Sequence, residues 1–129
     1  AILIEDLTTI AGLGLISNCI IDSHFIRRGR IGRLIEATIL NPALIGIGLG
    51  ENTALIITEG NRMECIGSGM VMIIDSRNIN KTNVHYVEEG APIYAENIVT
   101  HVMAKGTSYL LNEHEFLADH LRKGVDLSR

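Results

Sequence analysis

Apolar positions along the 129 residues recur with two spacings, and the change between them divides the chain into two textures. In the first third, Ile10 to Ile16 form a glycine-broken apolar stretch, and Cys19 to Asp22 read as a short buried strand. Ile31, Leu34, Ile35, Thr38 and Ile39 then recur at intervals of three and four, which predicts one face of a helix. Asn41-Pro42 stops it, because proline pushes the preceding residue out of the helical region. Ala43 to Leu49 read as the next buried strand.

From Thr53 the segments shorten. Strands are predicted at Ala54 to Thr58, Arg62 to Ile66 and Met70 to Asp75, separated by turns at Glu59-Gly60-Asn61 and Gly67-Ser68-Gly69. That spacing predicts an antiparallel meander. Further strands are expected at Asn83 to Val87, Ile98 to Ala104 and Ser108 to Leu111. A final helix is expected beyond them, with Asn112 as its cap, Glu115 at the capping-box position and Gly124 closing it. No repeat and no linker rich in Ser, Pro or Gly divides residues 1–129, so the chain reads as one unit. A strand–helix–strand start followed by antiparallel strands gives an α/β class with a mixed sheet.

Composition narrows the core and the partners. Hydrophobic residues make up 47% and charged residues 20%, which excludes a disordered chain. With 20 isoleucines, no Trp and 4% aromatics, the core must be aliphatic and β-branched, which favours sheets. Lys+Arg 11 against Asp+Glu 15 gives a net charge of -4, contrary to the basic surplus of a nucleic-acid binder. No apolar run approaches the roughly 18 to 20 residues of a membrane span. Two cysteines, Cys19 and Cys65, make no disulfide framework and suit a reducing compartment. No leader pattern precedes Ile2, so a cytoplasmic location is expected, with any targeting signal falling upstream of Ala1.

The densest polar cluster runs from Asp22 through Ser23 and His24 to Arg33 and Leu34, from the carboxyl end of a buried strand into a helix start. Open α/β sheets place ligands at such junctions. His24 there either acts as a general acid or base near neutral pH or only hydrogen-bonds backbone, and its position and company favour the first. Arg27, Arg28, Arg30 and Arg33 fall within seven residues of an otherwise acidic chain. Guanidinium groups hold carboxylates bidentately, so the cluster suits an acidic substrate, while internal salt bridges explain any single arginine equally well. Glu51, at a strand end after glycines, could orient an imidazole, although its spacing alone reads as an ordinary surface Glu. Gly46-x-Gly48-x-Gly50 is not a dinucleotide fingerprint, and His114-Glu115 lacks the second His of a zinc-protease helix. Five histidines and two cysteines show no tight ligand spacing, so no metal site is expected.

These residues carry a resemblance. Gly12-Leu13-Gly14-Leu15, Asp22-x-His24-Phe25, Arg28-x-Arg30-x-x-Arg33-Leu34, Gly46-Ile47-Gly48, Glu51-Asn52-Thr53-Ala54 and Ile66-Gly67-Ser68-Gly69 with Ile74-Asp75 resemble the cyanophycinase family. These are serine peptidases related to the dipeptidase E family, and the similarity runs to about Leu111. The resemblance implies a class I glutamine-amidotransferase-like, flavodoxin-like fold and a Ser-His-Glu triad cleaving a poly-Asp-Arg polymer into β-Asp-Arg dipeptides. It implies His24 as general base, Glu51 as its orienting carboxylate, and Asp22, Ser23, Arg28, Arg30 and Arg33 as the substrate pocket. It implies no cofactor, and a homodimer. Two features depart from the family pattern. Ser23 stands where relatives often carry Gln, so a peptidase for other Asp-containing peptides remains a second reading. The nucleophile's Gly-Thr-Ser-Ala-Gly-like elbow is also missing, since Ser17, Ser23, Ser68, Ser76, Ser108 and Ser128 all lack Gly-x-Ser-x-Gly context.

The expectation is therefore the C-terminal half of a serine peptidase, inactive by itself. Its nucleophile and first strands would come from an N-terminal segment, without which the strand ending at Asp22 would expose an apolar edge. A non-catalytic module that binds an acidic peptide or partner through its arginines is the alternative from another class.

Overall fold

The structure is a computed structural model and describes residues 2–5, 18–23, 30–59 and 61–118. Its elements, in chain order, are strand β1 (Ile2–Glu5), β2 (Cys19–Ser23), helix α1 (Arg30–Leu40), β3 (Ile45–Leu49), β4 (Thr53–Thr58), β5 (Arg62–Gly67), β6 (Val71–Asp75), β7 (Val99–Met103), β8 (Thr107–Leu110) and β9 (Glu115–Ala118). Two sheets result, one ordered β1-β4-β5-β8-β9 and the other β2-β3-β6-β7. The first is antiparallel throughout. In the second, β2 and β3 run parallel with α1 as the crossover, while β6 and β7 add antiparallel.

Alternation along β3 shows why the layers stack. Ile45, Ile47 and Leu49 are buried between the two sheets with Val71, Ile73 and Met103. Leu55, Ile57, Met63, Cys65, Tyr109 and Leu111 meet them from the five-stranded sheet. Each large aliphatic side chain buried this way contributes about 1.5–3 kcal/mol. The intervening positions of β3 are glycines, and α1 lies on that face. A Cβ on Gly46 would stand 2.6 Å from Thr38 Cγ2 and 3.3 Å from Leu34 Cδ1. The glycine run that fails as a nucleotide motif thus supplies a helix seat at Gly46. Helix and sheet are also joined by a buried hydroxyl chain: Thr38 Oγ1 donates to Ile35 O at 2.7 Å, so the Ser76 hydroxyl donates to Thr38 Oγ1 at 2.8 Å.

The α/β class, the helix, its stop at Asn41-Pro42 and the strands within 19–75 and 98–111 agree with the sequence expectation. Three expectations are corrected. The meander does not continue in one sheet: after β5 the chain turns at Gly67–Met70 and enters the second sheet as β6. Asn83 to Val87 form a turn, because Asn83 binds its own loop. Its Oδ1 accepts from Tyr94 N at 2.9 Å, its Nδ2 donates to Pro92 O at 3.0 Å, and its carbonyl accepts from Tyr86 N and Val87 N. The expected final helix is a strand where it is described, since Glu115–Ala118 pair antiparallel with β8. Asn61 redirects the chain there: its backbone carbonyl accepts from Leu111 N at 2.9 Å, its Oδ1 accepts from Asn112 N at 2.6 Å, and its Nδ2 donates to Glu113 Oε1 at 3.1 Å. The Ile10–Ile16 stretch and Gly124 lie outside the described residues.

A side chain at position 46 should lift α1 from the sheet. Gly46→Val is expected to cost roughly 1–3 kcal/mol by overpacking, read from the urea midpoint. An unchanged midpoint would mean that α1 does not bear on β3.

Candidate functional site

The parallel pair β2–β3 defines one end of the smaller sheet. Asp22 lies opposite Gly48 and Ser23 opposite Leu49, so both strands finish together. Asp22 is half-buried there. Two residues beyond Leu49 comes Glu51, exposed on the turn that leads into β4. Arg30 opens α1 and Arg33 is exposed one turn on, in a helix with no acidic residue in its first turn. The positive end of the helix dipole and Arg33 thus both favour anions. His24, Arg27 and Arg28 lie outside the described residues, as do the side chains of Ser23 and Arg30. The structure therefore brings Asp22, the backbone of Ser23 and Glu51 to one sheet end and shows no contact between Arg33 and Glu51.

Sequence reasoning missed what fixes Glu51. Gly50 N donates to Met70 O at 3.0 Å and Ser68 N donates to Asn52 O at 2.9 Å. Thr53 Oγ1 donates back to Gly50 O. Asn52 adopts φ 57° and Gly67 φ 97°, both in the left-handed region. A Cβ on Gly67 would stand 2.2 Å from Asn52 O, and one on Gly69 would stand 2.2 Å from Glu51 O. Those partners are backbone atoms in a doubly hydrogen-bonded corner, so they cannot yield cheaply. Glu51-Asn52-Thr53 and Gly67-Ser68-Gly69 are two halves of one backbone lock. The glycines flanking Ser68 were the signal in the sequence.

A second polar cluster sits at the opposite end of the sheet, because β6 runs antiparallel to β3. Asp75 is only 5% exposed. Its carboxylate accepts from Arg77 N and Arg77 Nε at 3.0 and 3.1 Å on Oδ1, and from Arg77 Nη2 at 3.0 Å on Oδ2. His114 Nδ1 lies 3.4 Å from Oδ2, on a residue at φ 54°. Burial pushes the Asp75 carboxyl upward, but the Arg77 hydrogen bonds and charge, with His114, outweigh it and hold it below the usual carboxylate range. Burial first, then the Asp75 charge, raises the Tyr109 phenol to about 12. Burial lowers His101, whose ring stacks on Phe116 at 5.3 Å and 8° and tilts against Tyr109 at 5.6 Å. Burial raises the Cys19 thiol to about 12, leaving no thiolate nucleophile there near neutral pH. Among the described residues no group of three His, Cys, Asp or Glu side chains could hold a metal ion. This cluster ties β6 to the β8–β9 hairpin and has the character of a structural anchor. No helix among the described residues is long and apolar enough to cross a membrane.

The geometry defines an α/β chain with Asp22, the backbone of Ser23 and Glu51 at the carboxyl ends of two parallel strands. In sequence it is cyanophycinase-like. It is 33% identical over 110 residues to the cyanophycinase of Synechococcus elongatus, covering 85% of this chain and 34% of that protein. It is 34% identical over 106 residues to the cyanophycinase of Trichormus variabilis, covering 82% and 36% respectively. To the cyanophycinase of Geminocystis herdmanii it is 34% identical over 107 residues, covering 83% and 39%. The chain thus spans a little over a third of the length of the curated relatives it matches. No protein-family model matches it.

The signs of the buried shifts set the acid response. His101, lowered from an ordinary 6.5, takes up a proton less readily folded than unfolded. Its contribution is complete above that ordinary value and is lost as pH falls toward the depressed one. Asp75, held below its ordinary 3.8, contributes stability that is present above that value and lost as pH falls through the depressed one. The urea midpoint should therefore decline in two stages on acidification from about pH 7.5. His101→Phe, which keeps the stack, should flatten the first stage. A midpoint equally steep in wild type and variant would remove His101 from the response.

Proposed function

We propose that this chain is the C-terminal part of a serine peptidase that hydrolyses a poly-Asp-Arg polymer to β-Asp-Arg dipeptides, with a class I glutamine-amidotransferase-like, flavodoxin-like fold. The similarity to cyanophycinases carries this reading. The Ser23–Leu49 register supports it, because His24 follows Ser23 in sequence and Glu51 lies two residues past Leu49. Neighbouring strands are about 4.8 Å apart, so the residues that leave them start out close.

In this reading a serine from a segment outside this chain attacks the scissile carbonyl. His24 takes the hydroxyl proton as the carbon–oxygen bond forms, and then delivers it to the leaving nitrogen as the amide bond breaks. Water, deprotonated by the same imidazole, hydrolyses the acyl-enzyme and restores the serine. Glu51 orients the imidazole and stabilises its charged form. Its held backbone suits that role, since an orienting carboxylate must not drift. Asp22, Ser23, Arg28, Arg30 and Arg33 line the substrate pocket, with the arginines taking the carboxylates of the polymer. The same N-terminal segment would pair with the outer edge of β2, and the complete protein would act as a homodimer. Ser23, in place of a longer amide, favours a second reading in which the substrates are other Asp-containing peptides.

Dipeptide release by the full-length protein tests this. His24→Ala should lower kcat by about 10³-fold or more, and Glu51→Gln by about 10²–10⁴-fold with little change in KM. Wild-type turnover in His24→Ala would remove His24 from the mechanism. Gly69→Ala, which pushes on the Glu51 carbonyl, should lower kcat about 10-fold or more while substrate still binds. Unaltered kcat would separate the backbone lock from catalysis.

A further inference from the structure

The edge strands of the two sheets differ in one respect that bears on association. β1 carries Glu5, β9 carries Glu115 and β2 carries Asp22. β7 reads Val-Thr-His-Val-Met, with no carboxylate, lysine, arginine, proline or glycine. Charges and prolines on an edge strand deter pairing with another chain, and β7 has neither. One side of it pairs with β6, while no strand among the described residues pairs with the other. Val99 and Val102 are 37% and 51% exposed. An open edge of β-branched residues is a template for one more strand.

The order of residues in β7 suits a copy of itself. Thr100 pairs with Ile74 and Val102 with Met72, which pair in turn with Gly46 and Gly48, so Thr100 and Val102 stand on the face where α1 lies. A two-fold axis through His101, perpendicular to the sheet, sets Thr100 opposite Val102 of a second copy and Val102 opposite its Thr100. Both are β-branched pairs with Cβ atoms about 4.5–5.5 Å apart. On the other face Val99 meets Met103 of the second copy. His101 meets its own counterpart, and burial, which lowers its affinity for a proton, keeps that pair uncharged near neutral pH. Just past each end of the pairing, Glu96 falls within one register position of Lys105 of the second copy. Both side chains are exposed, and neither has an ion-pair partner among the described residues.

We propose that β7 is the surface through which two copies of the full-length protein associate, joining their smaller sheets edge to edge across a two-fold axis at His101. The inference rests on the homodimer of the proposed reading and assigns it a surface. β3 and β6 lie between β7 and β2, so the edge left to the N-terminal segment stays free.

Sedimentation equilibrium of the full-length protein, with disulfide mapping, tests this. The wild type should be a dimer. Thr100→Lys/Val102→Lys, which sets lysine against lysine in both cross-strand pairs, should raise the dissociation constant about 100-fold or more with the melting temperature unchanged. Glu96→Lys should weaken the dimer several-fold, and adding Lys105→Glu should restore it. Leu40→Lys, at an exposed apolar position on α1, should change the dissociation constant less than about 2-fold. Under mild oxidation Thr100→Cys/Val102→Cys should link position 100 of one copy to position 102 of the other, since facing residues of paired strands have the spacing a disulfide needs. A monomeric wild type, a dimer that survives the lysine pair, a charge swap without rescue or a cysteine pair that fails to cross-link would each overturn the proposal. A surviving dimer would leave the homodimer standing on another surface, and dipeptide release by a monomer would leave the peptidase reading intact, so the failures are distinguishable.

Discussion

The contact that the rest of the structure depends on is between two pieces of backbone. The chain leaves the smaller sheet at Gly50–Asn52, makes the β4–β5 hairpin in the larger one, and returns at Gly67–Met70. The outgoing and returning corners lie against each other, with Asn52 O accepting from Ser68 N and Met70 O from Gly50 N. There is no room between them for even one methyl group at position 67 or 69. Through that contact β4–β5 and β3–β6 are held at a fixed spacing, so the isoleucines of one sheet share a single buried core with the leucine, methionine and cysteine of the other. A tightly packed interior tolerates little slack, and this corner removes it at the end where Glu51 emerges.

The two ends of the smaller sheet are held by different physics. At the Glu51 end, backbone hydrogen bonds and missing side chains do the holding, which leaves the carboxylate itself in water. At the Asp75 end a side chain does it: a buried carboxylate gathers Arg77 and approaches His114, while the His101 ring packs on Tyr109 and Phe116. A buried charge is tolerable only when it is well paired, and the bidentate Arg77 contact supplies the pairing. The consequence is a division of labour in which one end is rigid and chemically open, the other rigid and chemically closed.

Local signals made the helix, its proline stop and most strands legible. The three-and-four spacing of Ile31, Leu34, Ile35, Thr38 and Ile39 is a property of one segment, and so is the proline after Asn41. What was not legible depends on residues far apart in the chain. Asn112 and Glu115 read as a capping box, yet Asn61, 51 positions before Asn112, binds that same backbone and turns it into a hairpin. Val84 and Val87 have strand propensity, but the Asn83 side chain offers the local backbone a competing set of hydrogen bonds. Asp75 appeared only as part of a motif, since nothing in its neighbourhood announces that His114 will approach from another strand's turn. At the candidate site, Asp22 and Glu51 were legible as lying at the ends of the Cys19–Asp22 and Ala43–Leu49 strands, whereas the pairing of those ends and the partnership of Gly67 and Gly69 with Glu51 and Asn52 became visible only in three dimensions.

Cys19 draws out one last consequence. Its thiol opens β2, packs half-buried against the inter-sheet core, and has its pKa pushed up to about 12 by burial. Alkylation needs thiolate and access together, so in the closed structure this sulfur reacts slowly. Any excursion that parts β2 from the core favours both at once. The first residue of that strand is thus a natural clock for the breathing of the sheet, and the rate at which it is modified counts openings that leave the rest of the fold in place.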